Sequence, residues 1–375
     1  MYGMHGLMFI DVKIVCKITQ ETADMTSLNR SQLRGTKLYL LVLVAFLLSS
    51  CSLSGQASVT QQSSPAQTGK TPSYTTTTPI STTTAGATAT TDGVPTTSTD
   101  MQASLAQLHY LRGPDGWTWF TSLPSHRLVV FYGNPLSSVM GPIGQYSDSD
   151  LIAKLHEQAQ AYATLDPAHP VVPAIDYVTP IVQPVPMADN SWTYRMPSDS
   201  IEHYIKVAND NHALFFYDMQ VGHSTVQKEV TLVMNDLEKP GVDLALDPEF
   251  DMPPGGIPDE VFGHMMASEI NWTIDTLSNL VTTKHLPPKI LIIHQFREDM
   301  LPDWKNIKLK PGVEVVTCVD GFGGPGAKTD DYTLFDQQQL IQYPGMKLFY
   351  TLDKPLMSPS DVLALNPPPM MVMYQ

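Results

Sequence analysis

From about residue 127 onward the chain repeats one pattern: a short β-rich apolar run that ends in a polar residue, then a loop, then a helical stretch. The runs are "RLVVFYGN" (127–134), "VVPAIDYV" (171–178), "ALFFYDMQ" (213–220), "VDLALDPEF" (242–250), "KILIIHQF" (289–296), "VEVVTCVDGFG" (313–323), "MKLFYTLD" (346–353) and "MMVMYQ" (370–375). Between them lie helix candidates at 147–165, 200–211, 224–238 and 267–285, several opened by a Ser or Asp cap. Eight such runs alternating with helices over about 250 residues predict a (β/α)8 TIM barrel. The last run reaches residue 375 with no helix after it, and "MQASLAQLHYLR" (101–112) is placed to cover that gap from the other end. An open doubly wound sheet is the competing architecture, but it would more often carry a Gly-rich phosphate turn after its first strand, which "FYGNPLSSVMG" does not supply.

In such a barrel the strand C-termini gather at one face, where active sites lie. The strand ends here are chemically rich. Asp176, Asp218 with Gln220, Asp247 with Glu249, His294 or Gln295, Asp320 and Asp353 all stand there. Side chains alternate along a strand, so Asp247 and Glu249 are expected to project to the side of Ala245, into the barrel, while Leu244 and Leu246 face the helices. Acids crowded into one cup raise each other's pKa values. For a lone strand-end Asp, loop hydrogen bonding is the plain alternative, and it suits Asp353 and Asp176 best.

The "LDPE" of Leu246 to Glu249 resembles the D-x-E motif at the end of the fourth strand in barrel glycoside hydrolases, notably muramidase-type lysozymes and chitinase-like enzymes. That resemblance implies Glu249 as the general acid, Asp247 as the neighbour that tunes it, and Asp218 as a residue positioning the substrate or its reacting group. Asp176, Gln220, His294, Gln295 and Asp320 would then line the substrate site. Trp192, Tyr194 and Phe262, in the long loops 177–197 and 250–268, could stack on sugar rings or pack the loops onto the barrel. As a whole, the chain also resembles bacterial lipoproteins of unassigned activity.

Two other readings stay open. One is a divalent-metal-dependent hydrolase. No cofactor is demanded by the spacing, and the His-x-His of many metal barrels is absent, but Asp218, Asp247, Glu249 and His294 could together hold a divalent ion. His285 follows a helix and is expected to cap it. The other is a non-catalytic barrel that binds a ligand or partner. In "CVDGFGGPGAK" (318–328) the glycines are read as permitting a tight turn near the cup rather than as a phosphate loop.

The first hundred residues give an address. Arg30, Arg34 and Lys37 precede "LYLLVLVAFLLSS", and small residues stand before Cys51, the layout of a secretory signal. The tail "LSSC" resembles the bacterial lipobox, which implies that Cys51 carries lipid and becomes the first mature residue. Residues 1–50 are thus expected to form the signal peptide, with Met25 a plausible true start because Asp11, Glu21 and Asp24 sit where the charge should be positive. Residues 51–100, rich in Thr and Ser, have too little apolar content to fold and read as a disordered tether to the barrel domain, 101–375. The expected location is the outer face of a bacterial cell membrane, reached through lipidated Cys51, with a carbohydrate as the candidate ligand and a monomer as the expected state. A formal charge of −15 argues against nucleic acid as a partner. Cleavage would leave Cys51 and Cys318, so no disulfide is expected within the mature chain.

Overall fold

The computed structural model describes residues 123–375. The expected signal peptide, Cys51, the expected tether and the 101–112 segment lie outside the described residues. All eight predicted runs form strands of one closed parallel barrel. In chain order they are β1 (Arg127–Gly133), β2 (Val171–Val178), β5 (Leu214–Met219), β6 (Val242–Leu246), β7 (Lys289–Gln295), β8 (Val313–Val319), β9 (Tyr343–Leu348) and β10 (Met371–Tyr374). A small antiparallel hairpin, β3 (Ile181–Val182) and β4 (Thr193–Tyr194), is inserted after β2. The barrel closes where β10 pairs with β1, Leu128 opposite Met371 and Phe131 opposite Tyr374. Strands covered on both faces must be apolar along most of their length, and these are buried nearly throughout.

The outer helices follow the predicted positions. Helices α1 (Pro142–Gln145) and α2 (Asp148–Leu165) connect β1 to β2. Ser147 caps α2 by accepting from the Asp150 N–H at 3.3 Å, with Asp148 and Asp150 in the first turn, where carboxylates favour the helix dipole. Its buried face runs through Leu151, Leu155, Ala159 and Tyr162, a helical spacing that lays one stripe on the barrel. After β2 comes α3 (Ser198–Asp210); after β5, α4 (Val226–Leu232) and α5 (Met234–Leu237). The single helix predicted at 224–238 is thus split, with Val233 between the two pieces. Helix α6 (Ala267–Lys284) buries Ile270, Ile274, Leu277 and Leu280, and His285 ends it in the left-handed conformation, φ 53°.

The helix layer is incomplete among the described residues. Between β7 and β8 there are only two 3-10 turns, Glu298–Met300 and Trp304–Asn306. Helix α7 (Pro325–Tyr332), continued by a π-helical stretch to Gln338, precedes β9, and short α8 (Pro359–Leu363) precedes β10. Among the described residues no helix is long and apolar enough to cross a membrane.

Charge is handled differently at the two ends of the barrel. At the N-terminal ends Lys289 is buried, but its Nζ donates to Lys239 O at 2.9 Å and Val242 O at 2.7 Å. Arg127, also buried, donates from Nε to Pro369 O and from Nη1 to Asp166, both at 2.8 Å, tying β1 to α2 and to the entry of β10. These contacts spread each charge over fixed acceptors. At the C-terminal ends several buried carboxyl oxygens have no such partner.

Candidate functional site

The C-terminal mouth gathers Asp176 from β2, Asp218 from β5, Asp247 and Glu249 just after β6, His294 from β7, Cys318 and Asp320 at the end of β8, Lys347 from β9 and Tyr132 from β1. All are buried except Glu249, which is half-buried. The ligand atoms of Asp176, Asp218 and His294 lie within 4.8 Å of one another, and so do those of Asp247, His294 and Asp320. His294 therefore sits between two groups of acids. Its Nδ1 is 3.2 Å from Asp320 Oδ2, and its Nε2 is 3.8 Å from Asp218 Oδ2. Lys347 Nζ is 3.8 Å from Asp320 Oδ2 and 3.6 Å from the centre of the Tyr132 ring.

Five carboxyls thus face two cationic side chains. Both oxygens of Asp176 and of Asp218, one each of Asp247, Glu249 and Asp320, and Nε2 of His294 have no hydrogen-bond partner in the protein. Buried carboxylates in this proportion cannot all stay ionised unless a cation binds among them; otherwise some must take up protons. Burial pushes Asp176 up to about 7, against the pull of His294 and Lys347. Burial, with Asp176 beside it, lifts Asp218 to about 7 as well. Asp247 reaches about 7 through burial and the charge of Asp218. Glu249 is carried well above the glutamate range by burial and then by Asp247 and Asp320. Asp320 goes the other way: burial raises it, but the hydrogen bond to His294 and the charges of His294, Lys347 and Lys328 outweigh that and hold it low. Burial depresses Lys347, and Asp320 and Asp247 more than restore it.

Asp247 reaches the cup as expected, one residue past β6, but the route of Glu249 differs from the expected one. Strand β6 ends at Leu246, and Pro248 starts a 3-10 turn through Phe250, so strand alternation does not place Glu249. The turn does, through Phe250 N–H to Asp247 O at 3.0 Å and Gly263 N–H to Glu249 O at 2.6 Å. Gly263 is required there, because a Cβ would lie 2.1 Å from Asp251 O. Asp247 is held from the side by Gln220, whose Nε2 donates to Asp247 Oδ2 at 3.3 Å while its Oε1 accepts from the Val182 N–H at 3.2 Å.

The other expected residues divide. Gln295 does not join His294; adjacent strand residues face opposite ways, and its Nε2 reaches Arg297 O at 3.3 Å. Asp353 is a loop anchor, accepting from the Gly323 and Phe349 N–H groups at 2.8 Å each. Asp176 has no such bonds and belongs to the cup. Trp192, at φ 58°, sits edge-on to His223 with ring centres 5.3 Å apart, and Tyr194 lies in the hairpin opposite Ile181. That hairpin crosses the loop after β5 closely: a Cβ on Gly222, φ +63°, would meet Thr193 Cγ2 at 2.6 Å. His223 Nε2 lies 2.6 Å from Gly256 O, so the loops after β2, β5 and β6 are joined across the mouth. Phe262, 39 % exposed, packs edge-on to Phe296 beside the segment that holds Glu249.

Lys347, Tyr132 and Cys318 were not anticipated as site residues. The available signal was a lysine inside an apolar strand run. The glycine loop after β8 bends as expected near the cup, and Lys328 within α7 ties it down by donating to Gly321 O at 2.6 Å and to Lys347 O.

No family model matches the chain, and no curated protein matches it. Among solved structures, the Bacillus subtilis mannanase man26 overlays with a TM-score of 0.35 at 10 % identity, covering 68 % of this chain and 80 % of that one. A likeness so distant carries no argument about chemistry, and the barrel assignment rests on the strand pairing.

Proposed function

We propose that the barrel is a glycoside-hydrolase-like domain that cleaves a glycan, with Glu249 as the proton donor. The observation that carries this reading is the position of Glu249. Glu249 is the one residue of the acidic cup that is not fully buried, its Oε2 is buried and unpartnered, and burial, with Asp247 and Asp320 beside it, favours the protonated form. Glycosidic cleavage needs such an acid: the C–O bond breaks as the Glu249 proton passes to the leaving oxygen, water adds its oxygen to the sugar carbon, and the proton that water loses returns to the Glu249 carboxylate. Negative charge on Asp320 favours a transition state in which positive charge grows on the sugar ring. Phe262 and Trp192, on the loops across the mouth, supply apolar faces for sugar rings.

The test is release of new reducing ends from peptidoglycan and a panel of bacterial and plant glycans by the full chain, beside Glu249→Gln. Release by wild type alone supports the reading. Equal release by both removes Glu249 as the acid, and retention on one glycan without release favours a binding barrel.

The address is part of the proposal and rests on the sequence alone. The chain is exported, and Cys51 of "LSSC" is lipidated, holding the barrel outside the membrane on the Thr-rich tether. Labelled fatty acid should enter the wild-type chain and not Cys51→Ala; equal labelling of both would refute the anchor.

A further inference from the structure

The acids around His294 are of two kinds. Asp320 has a partner, and by standing 3.2 Å from Nδ1 it fixes the imidazole with Nε2 turned toward Asp218. Asp176 and Asp218 have none: all four of their oxygens, and Nε2 itself, are buried and unbonded. Their ligand atoms fall within 4.8 Å of one another. Ligands held at about 2.0–2.2 Å from one ion stand roughly 3–4 Å apart, so a small closure would complete the sphere.

We propose that Asp176, Asp218 and His294 bind a first-row divalent cation, with Asp320 as the carboxylate that orients the histidine. An imidazole with two carboxylates suits zinc, manganese or ferrous iron better than magnesium or calcium, which prefer all-oxygen surroundings. Histidine ligands commonly donate their other ring N–H to a carboxylate, and Asp320 is placed for that bond. Lys347, 3.8 Å from Asp320 Oδ2, holds that carboxylate in turn. Binding would release the Nε2 proton of His294, and the two charges of the ion would still offset the acids of the cup. Three protein ligands leave room for water or a substrate oxygen, as at catalytic rather than structural zinc. The site stands whether or not the substrate is a glycan, because none of its three ligands is Glu249.

The experiment is metal analysis of the full chain after exposure to Zn2+ or Mn2+ and gel filtration, together with thermal melts with and without each ion. One equivalent per chain and a raised Tm are expected for wild type and for Glu249→Gln. Asp218→Asn and His294→Gln should lose both, and Asp320→Asn should bind about 10–100-fold more weakly. Substoichiometric metal with no Tm change in wild type would overturn the site, as would unchanged metal in Asp218→Asn. If His294→Gln does not fold, Asp176→Asn decides. Without metal it should melt no lower than wild type, since it removes a buried carboxyl that lacks a partner, and added metal should no longer raise its Tm. A full metal-induced rise in Asp176→Asn would refute the assignment. Loss of glycan release in Glu249→Gln with metal retained separates the two proposals.

Discussion

The ammonium of Lys347 sits 3.6 Å from the centre of the Tyr132 ring, joining β9 to β1 across the strand β10 that separates them. Tyr132 is buried and its hydroxyl is pushed up by burial and then by Asp218 and Asp247, so the ring is a neutral face for the cation. Lys347 and His294 stand among the acids of the cup and restrain them, with Lys328 adding its charge at Asp320.

Removing that lysine should therefore be costly. Lys347→Met is expected to lower stability by about 3–5 kcal/mol, the usual cost of leaving buried charge uncompensated. Urea unfolding measures it. Adding Asp320→Asn should recover part of the loss, and strict additivity of the two changes would show that the pair does not interact.

The proposed role of Glu249 sets the pH profile to be expected of glycan release. A donor acts only while protonated, and its pKa is raised by burial and then by Asp247 and Asp320. Activity should persist at pH values where an ordinary glutamate is ionised and fall as pH rises through the shifted pKa. A profile declining near the ordinary glutamate pKa would place the donor elsewhere.

Glu314 gives a stability test away from the site. Burial lifts it to about 7, although the Leu123 N–H on its Oε2 at 3.2 Å pulls it down. Because the folded pKa exceeds the unfolded one, the folded state holds the extra proton between them. Stability from this group is present at low pH and lost as pH rises through about 7. Glu314→Gln keeps the acceptor and removes the titration. At pH 8 it should be more stable than wild type by about 1–2 kcal/mol, discounted for partial exposure, and the gap should vanish near pH 4. Paired denaturation curves at the two pH values measure this.

Asp353→Ala should act on stability alone. It leaves the Gly323 and Phe349 N–H groups without their acceptor, a loss of about 2–4 kcal/mol by denaturant midpoint. Unchanged stability would show that these bonds add nothing, and loss of activity in a fully folded variant would draw Asp353 into the site.

How much of the site was legible depended on position in the strand. Asp176, Asp218 and Asp320 end apolar runs, where barrel topology alone sends them to one mouth. Lys347 lies within its run, and β9 begins at Tyr343, three residues ahead of the predicted start. Asp247 continues the alternation of β6, its N–H still reaching Met219 O at 3.3 Å, whereas a 3-10 turn carries Glu249 to the cup. The choice between His294 and Gln295 was open, because both neighbours of a run apolar on both faces read alike.

The eight strands, the principal helices with their Ser147 and His285 ends, and the accumulation of acids at the strand termini are all written locally in the chain. These follow from local signals: β-branched runs, caps and helical spacing. Tertiary structure decided which face of each strand is interior, and so which residues meet. His294 came to stand between Asp218 and Asp320, with Lys347 over Tyr132, through register set across strands far apart in the chain. Such pairings are long-range, and no local pattern encodes them. The balance of five carboxyls against two cations, and with it the chemistry of the cup, exists only once the barrel has closed.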